Sequence, residues 1–77
     1  MDTQMVDVVL HLDEEISHDD REKFRDTLLK MNGVMAASSH DEKPHLIVIE
    51  YNPDILKSSE FVDAARANGL HAELIGL

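Results

Sequence analysis

Residues 31–34, Met-Asn-Gly-Val, decide how this chain is read. Before them Phe24, Leu28 and Met31 recur at the four- and three-residue spacing of a single helix face, which predicts a helix over 18–31. Asn-Gly can signal a hairpin turn, but after such a pattern Gly33 fits the left-handed C′ position, with Val34 folding back onto Leu29. The punctuation recurs as Ala67-Asn68-Gly69-Leu70, behind a second helix predicted over 58–68 with Phe61 and Ala65 inward. The chain is therefore built from two similar halves.

Outward from these stops, strands complete each half. Met5 to Leu12, rich in Val, places Val6, Val8, Leu10 and Leu12 on one face and Asp7, Val9 and His11 on the other. Val34 to His40 is a weaker strand of small residues. Pro44 suits a strand entrance, where no ladder donor is missed, and His45 to Tyr51, HLIVIEY, is the strongest strand pattern. Asn52-Pro53-Asp54 breaks it, and residues 70–75 form a closing strand. The order is βαββαβ. Two interleaved right-handed crossovers make this an α+β, ferredoxin-like sandwich: a four-stranded antiparallel sheet, order 4-1-3-2, with both helices on one face. Phe24, Leu28, Met31, Phe61, Val8, Leu10, Ile47 and Ile49 are expected in the core. The other face stays uncovered, with Val9, His11, Leu46, Val48, Glu50, His71, Glu73 and Ile75 pointing outward.

With 77 residues there is room for one domain, residues 1–77, with 1–4 expected to be disordered. No cysteine is present, which removes disulfides, thiolate metal sites and cysteine nucleophiles together. The start, MDTQMVDVV, has neither a basic n-region nor a long apolar run, so a cytoplasmic location is expected and no membrane span. A net charge of −9 argues against nucleic acid and against anionic membrane surfaces. Binding of RNA on the sheet would also need stacking aromatics, where this chain has Leu46, Val48 and Glu50. No nucleophile–base pair or phosphate-cradling glycine loop appears, so no catalysis is expected.

The helix-Gly-Val feature (Phe24, Leu28, Met31, Gly33, Val34), Tyr51-Asn52-Pro53 after the third strand, and Asn68-Gly69-Leu70-His71-Ala72 at the end resemble features of heavy-metal-associated (HMA) domains, the copper-chaperone type of module. The resemblance spans Met5 to Ile75. It implies a Cys-x-x-Cys pair at the start of the first helix, and counting back from Gly33 puts those positions at Ser17 and Asp20. Neither offers sulfur, which Cu(I) requires. The resemblance therefore implies a non-catalytic binding or regulatory module that has lost its soft-metal ligands.

The stretch EISHDD, residues 15–20, then reads as a helix start. Ser17 can accept the Asp20 N–H, and the Asp20 carboxylate can reach back toward the Ser17 N–H. Asp19 and Asp20 sit at the positive end of the helix dipole. An alternative reading is a divalent site for Zn²⁺ or Ni²⁺ built from His11, Asp13, His18 and Asp20, because imidazole and carboxylate suit such ions. It is no EF-hand, lacking alternating ligands and a central glycine. A third reading is an ACT-like small-molecule sensor, which shares this topology, although such sites favour glycine in the first strand–helix loop and this loop has none. For partners, Val9, Leu46, Val48 and Ile75 form an apolar stripe on the open face, expected to bind a protein or a second copy of the chain.

Overall fold

The computed structural model describes residues 4–75. The expected disorder of 1–4 falls, for residues 1–3, outside the described residues. Along the chain run β1 (Val6–Leu12), α1 (His18–Leu29), β2 (Val34–His40), β3 (Lys43–Tyr51), α2 (Ser59–Ala67) and β4 (Ala72–Ile75). The sheet order is β2-β3-β1-β4 with every neighbouring pair antiparallel, the 4-1-3-2 order read from the other edge.

Alternation along β1 and β3 sets the two faces. Val8, Leu10 and Leu12 meet Ile47, Ile49 and Tyr51 on the inner side, where Phe24, Leu28, Leu56, Phe61 and Ala65 pack against them. The Tyr51 and Phe61 rings meet edge-on at 4.9 Å between centroids, the geometry their quadrupoles prefer. The inner face of β2, which its small residues left undetermined, is Val34, Ala37 and Ser39, opposite Tyr51, Ile49 and Ile47. A register shift between Val34 and Ala36 is what puts 34 and 37 on the same side.

The two Asn-Gly stops differ, which corrects the reading of the first. After α2, Asn68 is the C-cap. The Gly69 N–H donates to the Arg66 carbonyl (3.0 Å) and Leu70 to the Ala65 carbonyl (2.9 Å), the paired bonds of a Schellman motif. In contrast, α1 ends at Leu29 with Lys30 as its cap in the right-handed region, two residues short of the expected 31. Gly33 is therefore not a C′ residue. Its φ of +102° belongs to the turn into β2, and its carbonyl accepts from the Asn52 N–H at 2.8 Å. Leu29 is 40% exposed rather than covered by Val34. Met31, beyond the helix end, is only half-buried at the core's margin, whereas the other expected core residues are buried.

Candidate functional site

The helix start is the place to ask about soft metal. Ser17, in extended conformation, takes the Asp20 N–H on its Oγ at 3.1 Å, and its carbonyl takes the Arg21 N–H at 2.9 Å. The hydroxyl at this first position is thus engaged as a helix cap, worth about 1 kcal/mol. Asp20 makes no reciprocal bond to the Ser17 N–H among the described residues, so only half of the expected capping box forms. Oxygen donors of this kind do not fit Cu(I).

His18 turns away from this loop. Its Nδ1 donates to Asp41 Oδ1 at 2.9 Å, and its Nε2 lies 3.4 Å from Glu22. Arg21, one of α1's inward residues and 4% exposed, donates to the same Asp41 oxygen. One carboxylate in the turn between β2 and β3 thus ties the first turn of α1 to the hairpin. The bond from His18 holds the Asp41 carboxyl below its usual range, and Asp41 in return raises the His18 imidazole above its usual value.

On the sheet's open face the sequence-expected residues come together in rows. Val48, Val9 and Ile75 lie side by side across β3, β1 and β4, and Leu46, His11 and Glu73 form the next row. Beyond them Asp7 faces Glu50 directly. At the opposite end the Asp13 N–H donates to the His71 carbonyl (2.8 Å), extending the β1–β4 ladder past its last pair. The four apolar residues share this face, with Asp7 and Glu50 beyond one end and Asp13, Glu73, His11 and His71 toward the other. Val48 and Ile75 are exposed, Val9 and Leu46 partly so. These rows hold no lysine or arginine.

Of the four residues expected to ligate a divalent ion, His11 and Asp13 come together and His18 and Asp20 do not join them. The group that does form is His11, Asp13 and Glu73, with one potential ligand atom from each lying within 4.8 Å of the others. Glu73 was legible only as an outward residue of the closing strand. Its role needs the β1–β4 register, which pairs it with His11. Nearby, His71 binds Glu14 twice, by its N–H (2.8 Å) and by Nδ1 (2.5 Å). This holds the Glu14 carboxyl below its usual range and raises the His71 imidazole.

A shallow cleft of about 270 Å³ lies between α1 and the end of α2. Ile16, Phe24 and Leu70 line it together with Asp20, Lys23, Thr27 and Asn68. No helix among the described residues is long and apolar enough to cross a membrane.

No sequence-family model and no curated protein sequence matches the chain. Solved structures do. Oxidised MerP from Ralstonia metallidurans CH34 superposes with a TM-score of 0.84 at 12% identity, covering 95% of this chain and 100% of that one. A copper binding domain from HMA7, a P-type ATPase, gives 0.82 at 16% identity over 91% and 93% of the two chains. The N-terminal domain of PacS from Synechocystis PCC6803 gives 0.76 at 17% over 92% and 98%. At such identities the likeness establishes fold. The chain is an HMA-like domain in architecture and, having no cysteine, it lacks the Cys-x-x-Cys pair.

Proposed function

We propose that this chain is a non-catalytic, cytoplasmic binding module of a single domain that has exchanged soft-metal binding at the first helix for protein recognition on the open face of its sheet. The observation that carries this reading is the composition of that face. Val9, Leu46, Val48 and Ile75 form an apolar stripe between Asp7–Glu50 at one end and Asp13–Glu73 at the other. Carboxylates placed directly opposite each other in a sheet are destabilising. The Asp7–Glu50 pair therefore works against the fold and is accounted for by a cationic partner.

That charge layout also selects the partner. Two copies packed face to face with their strands in the same direction would set Asp7 and Glu50 against their own copies, so that form of self-association is opposed. A segment with β-branched or aliphatic residues flanked by Lys or Arg is complementary at the centre and at both ends. Ser17 and Asp20, at the positions the HMA resemblance assigns to the thiols, serve as helix cap and first-turn acid. They leave the helix start with no function beyond holding α1.

Panning a random peptide library against the protein, with counter-selection on Val48→Lys, tests this. The expected result is a set of basic, β-branched peptides whose binding shifts the amides of Val9, Leu46 and Val48 and is lost in the variant. Peptides that bind the parent and Val48→Lys alike would refute it. So would sedimentation showing a parent dimer that Val48→Lys dissociates, which would assign the face to a second copy.

A further inference from the structure

We propose that His11, Asp13 and Glu73 form a site for a borderline divalent cation such as Zn²⁺, at the acidic border of the open sheet face. It is separate from the helix start, and a cation held there would occupy the Asp13 and Glu73 carboxylates that a basic partner would otherwise meet. One imidazole and two carboxylates are a donor set suited to Zn²⁺ and neighbouring divalent ions. It lacks the sulfur that Cu(I) needs, and the nitrogen disfavours Mg²⁺ and Ca²⁺.

Three features bear on how the residues are held. First, their backbones are fixed in the sheet: His11 and Glu73 are direct cross-strand partners, and Asp13 is locked by its N–H to the His71 carbonyl. Second, the His11 ring is oriented by stacking on His45, at 5.8 Å between centroids and 19° between planes. His45 is itself anchored by Nδ1 donating to the Leu12 carbonyl at 3.0 Å. Third, the His11 Nδ1 atom is closed off from solvent and has no hydrogen-bond partner, although the side chain as a whole is 35% exposed. Asp13 Oδ1 lies 3.7 Å from it, beyond hydrogen-bonding range. A shielded ring nitrogen in that position has either a proton that no acceptor takes or a lone pair that no donor meets, and either state is costly. A cation between the three side chains relieves it, and takes the two carboxylates as well.

The geometry needs little adjustment. Ligand atoms at about 2.0–2.1 Å around a tetrahedral ion stand roughly 3.3 Å apart. The exposed Asp13 and Glu73 side chains therefore have to draw in by about 1 Å or somewhat more, a rotamer adjustment, while the stacked imidazole stays in place. Three protein ligands leave a fourth position open for water. His71 is not part of the group; Glu14 takes its backbone N–H and its Nδ1.

The test is titration of the full chain with Zn²⁺ in a non-chelating buffer, followed by calorimetry and by amide NMR. One saturable equivalent is expected, with the largest shifts at His11, Asp13 and Glu73. Glu73→Gln and Asp13→Asn should each weaken binding by at least about tenfold while keeping the parent's NMR fingerprint. His18→Gln, which removes a residue of the helix-start set, should bind as the parent does. Three results would overturn the proposal: no saturable binding, Glu73→Gln binding like the parent, or shifts centred on residues 18–20 and abolished by His18→Gln.

Discussion

Replacing Gly33 by alanine should cost far more stability than the same replacement at Gly69, although each glycine follows an asparagine near a helix end. Both have positive φ, +102° and +76°, a region that costs an L-residue about 1–2 kcal/mol. Reduced freedom of the unfolded chain returns about 0.4–1 kcal/mol of that in each case. The sites differ in space. A Cβ at Gly69 would meet nothing within 4 Å, whereas at Gly33 it would sit 2.5 Å from Leu56 Cδ2 and 2.9 Å from both Cβ and Cγ2 of Ile55. Leu56 is buried in the core, and Ile55 Cβ can retreat only if its backbone moves. That backbone is tied to the site, because the Asn52 N–H donates to the Gly33 carbonyl and the Ile55 N–H to the Asn52 carbonyl. Overpacking of this kind adds about 1–3 kcal/mol. Gly69→Ala should therefore cost about 1 kcal/mol or less, and Gly33→Ala about 3 kcal/mol. A domain of this size has roughly 4–12 kcal/mol in all, so both variants should fold. Urea unfolding monitored by circular dichroism measures the two costs. In thermal melts the larger corresponds to a drop on the order of 15 °C. Equal costs at the two positions would refute the claim that Gly33 serves the contact between the β2 turn and the 52–56 loop rather than a helix cap.

Ser17→Ala should lower stability by about 1 kcal/mol in the same assay, and an unchanged midpoint would remove the hydroxyl from the helix cap. The His18–Asp41 pair predicts a pH dependence whose sign is fixed. The folded state raises the His18 pKa above its ordinary 6.5, so that contribution is fully present below about 6.5 and is lost as pH rises through the raised value. Asp41 is held below its ordinary 3.8, so its contribution is present above that pH and is lost on further acidification. The stability gap between parent and His18→Gln should accordingly be larger at pH 5.5 than at pH 8.5. A gap that is constant or grows with pH would contradict the pairing.

Much of the fold was legible because its signals are local. The β-branched run at 45–51, the period of Phe24 and Leu28, and the repeated Asn-Gly each act within a few residues. They led directly to βαββαβ and to a sheet with one bare face. What escaped depends on distant partners. Gly33 resembled a cap because the sequence does not show Ile55 and Leu56 arriving above it. Nothing local marks Arg21 as a buried residue, because Asp41, the counterion that allows its burial, lies in a turn 20 positions away. The ligand candidates His11 and His18, seven residues apart along the chain, were separated by the topology. It gave His18 to the β2–β3 turn and paired His11 with Glu73. An outward parity for both His11 and Glu73 was readable, but the register joining them was set only once β4 was placed beside β1.

The central claim is that an HMA-like fold here carries a helix cap, rather than metal ligands, at the start of its first helix. Ser17→Cys combined with Asp20→Cys tests it most directly. Two thiols three residues apart at a helix N-terminus can converge on one ion, and the helix dipole favours their thiolates. Competition for Cu(I) against a chelator, with melting followed in parallel, should show no Cu(I) held by the parent and one equivalent held by the double variant. Without metal the variant should melt lower by an amount equivalent to about 1 kcal/mol, the lost cap, and Cu(I) should restore it. Cu(I) binding by the parent, or a well-folded double variant that binds no better than the parent, would contradict the account.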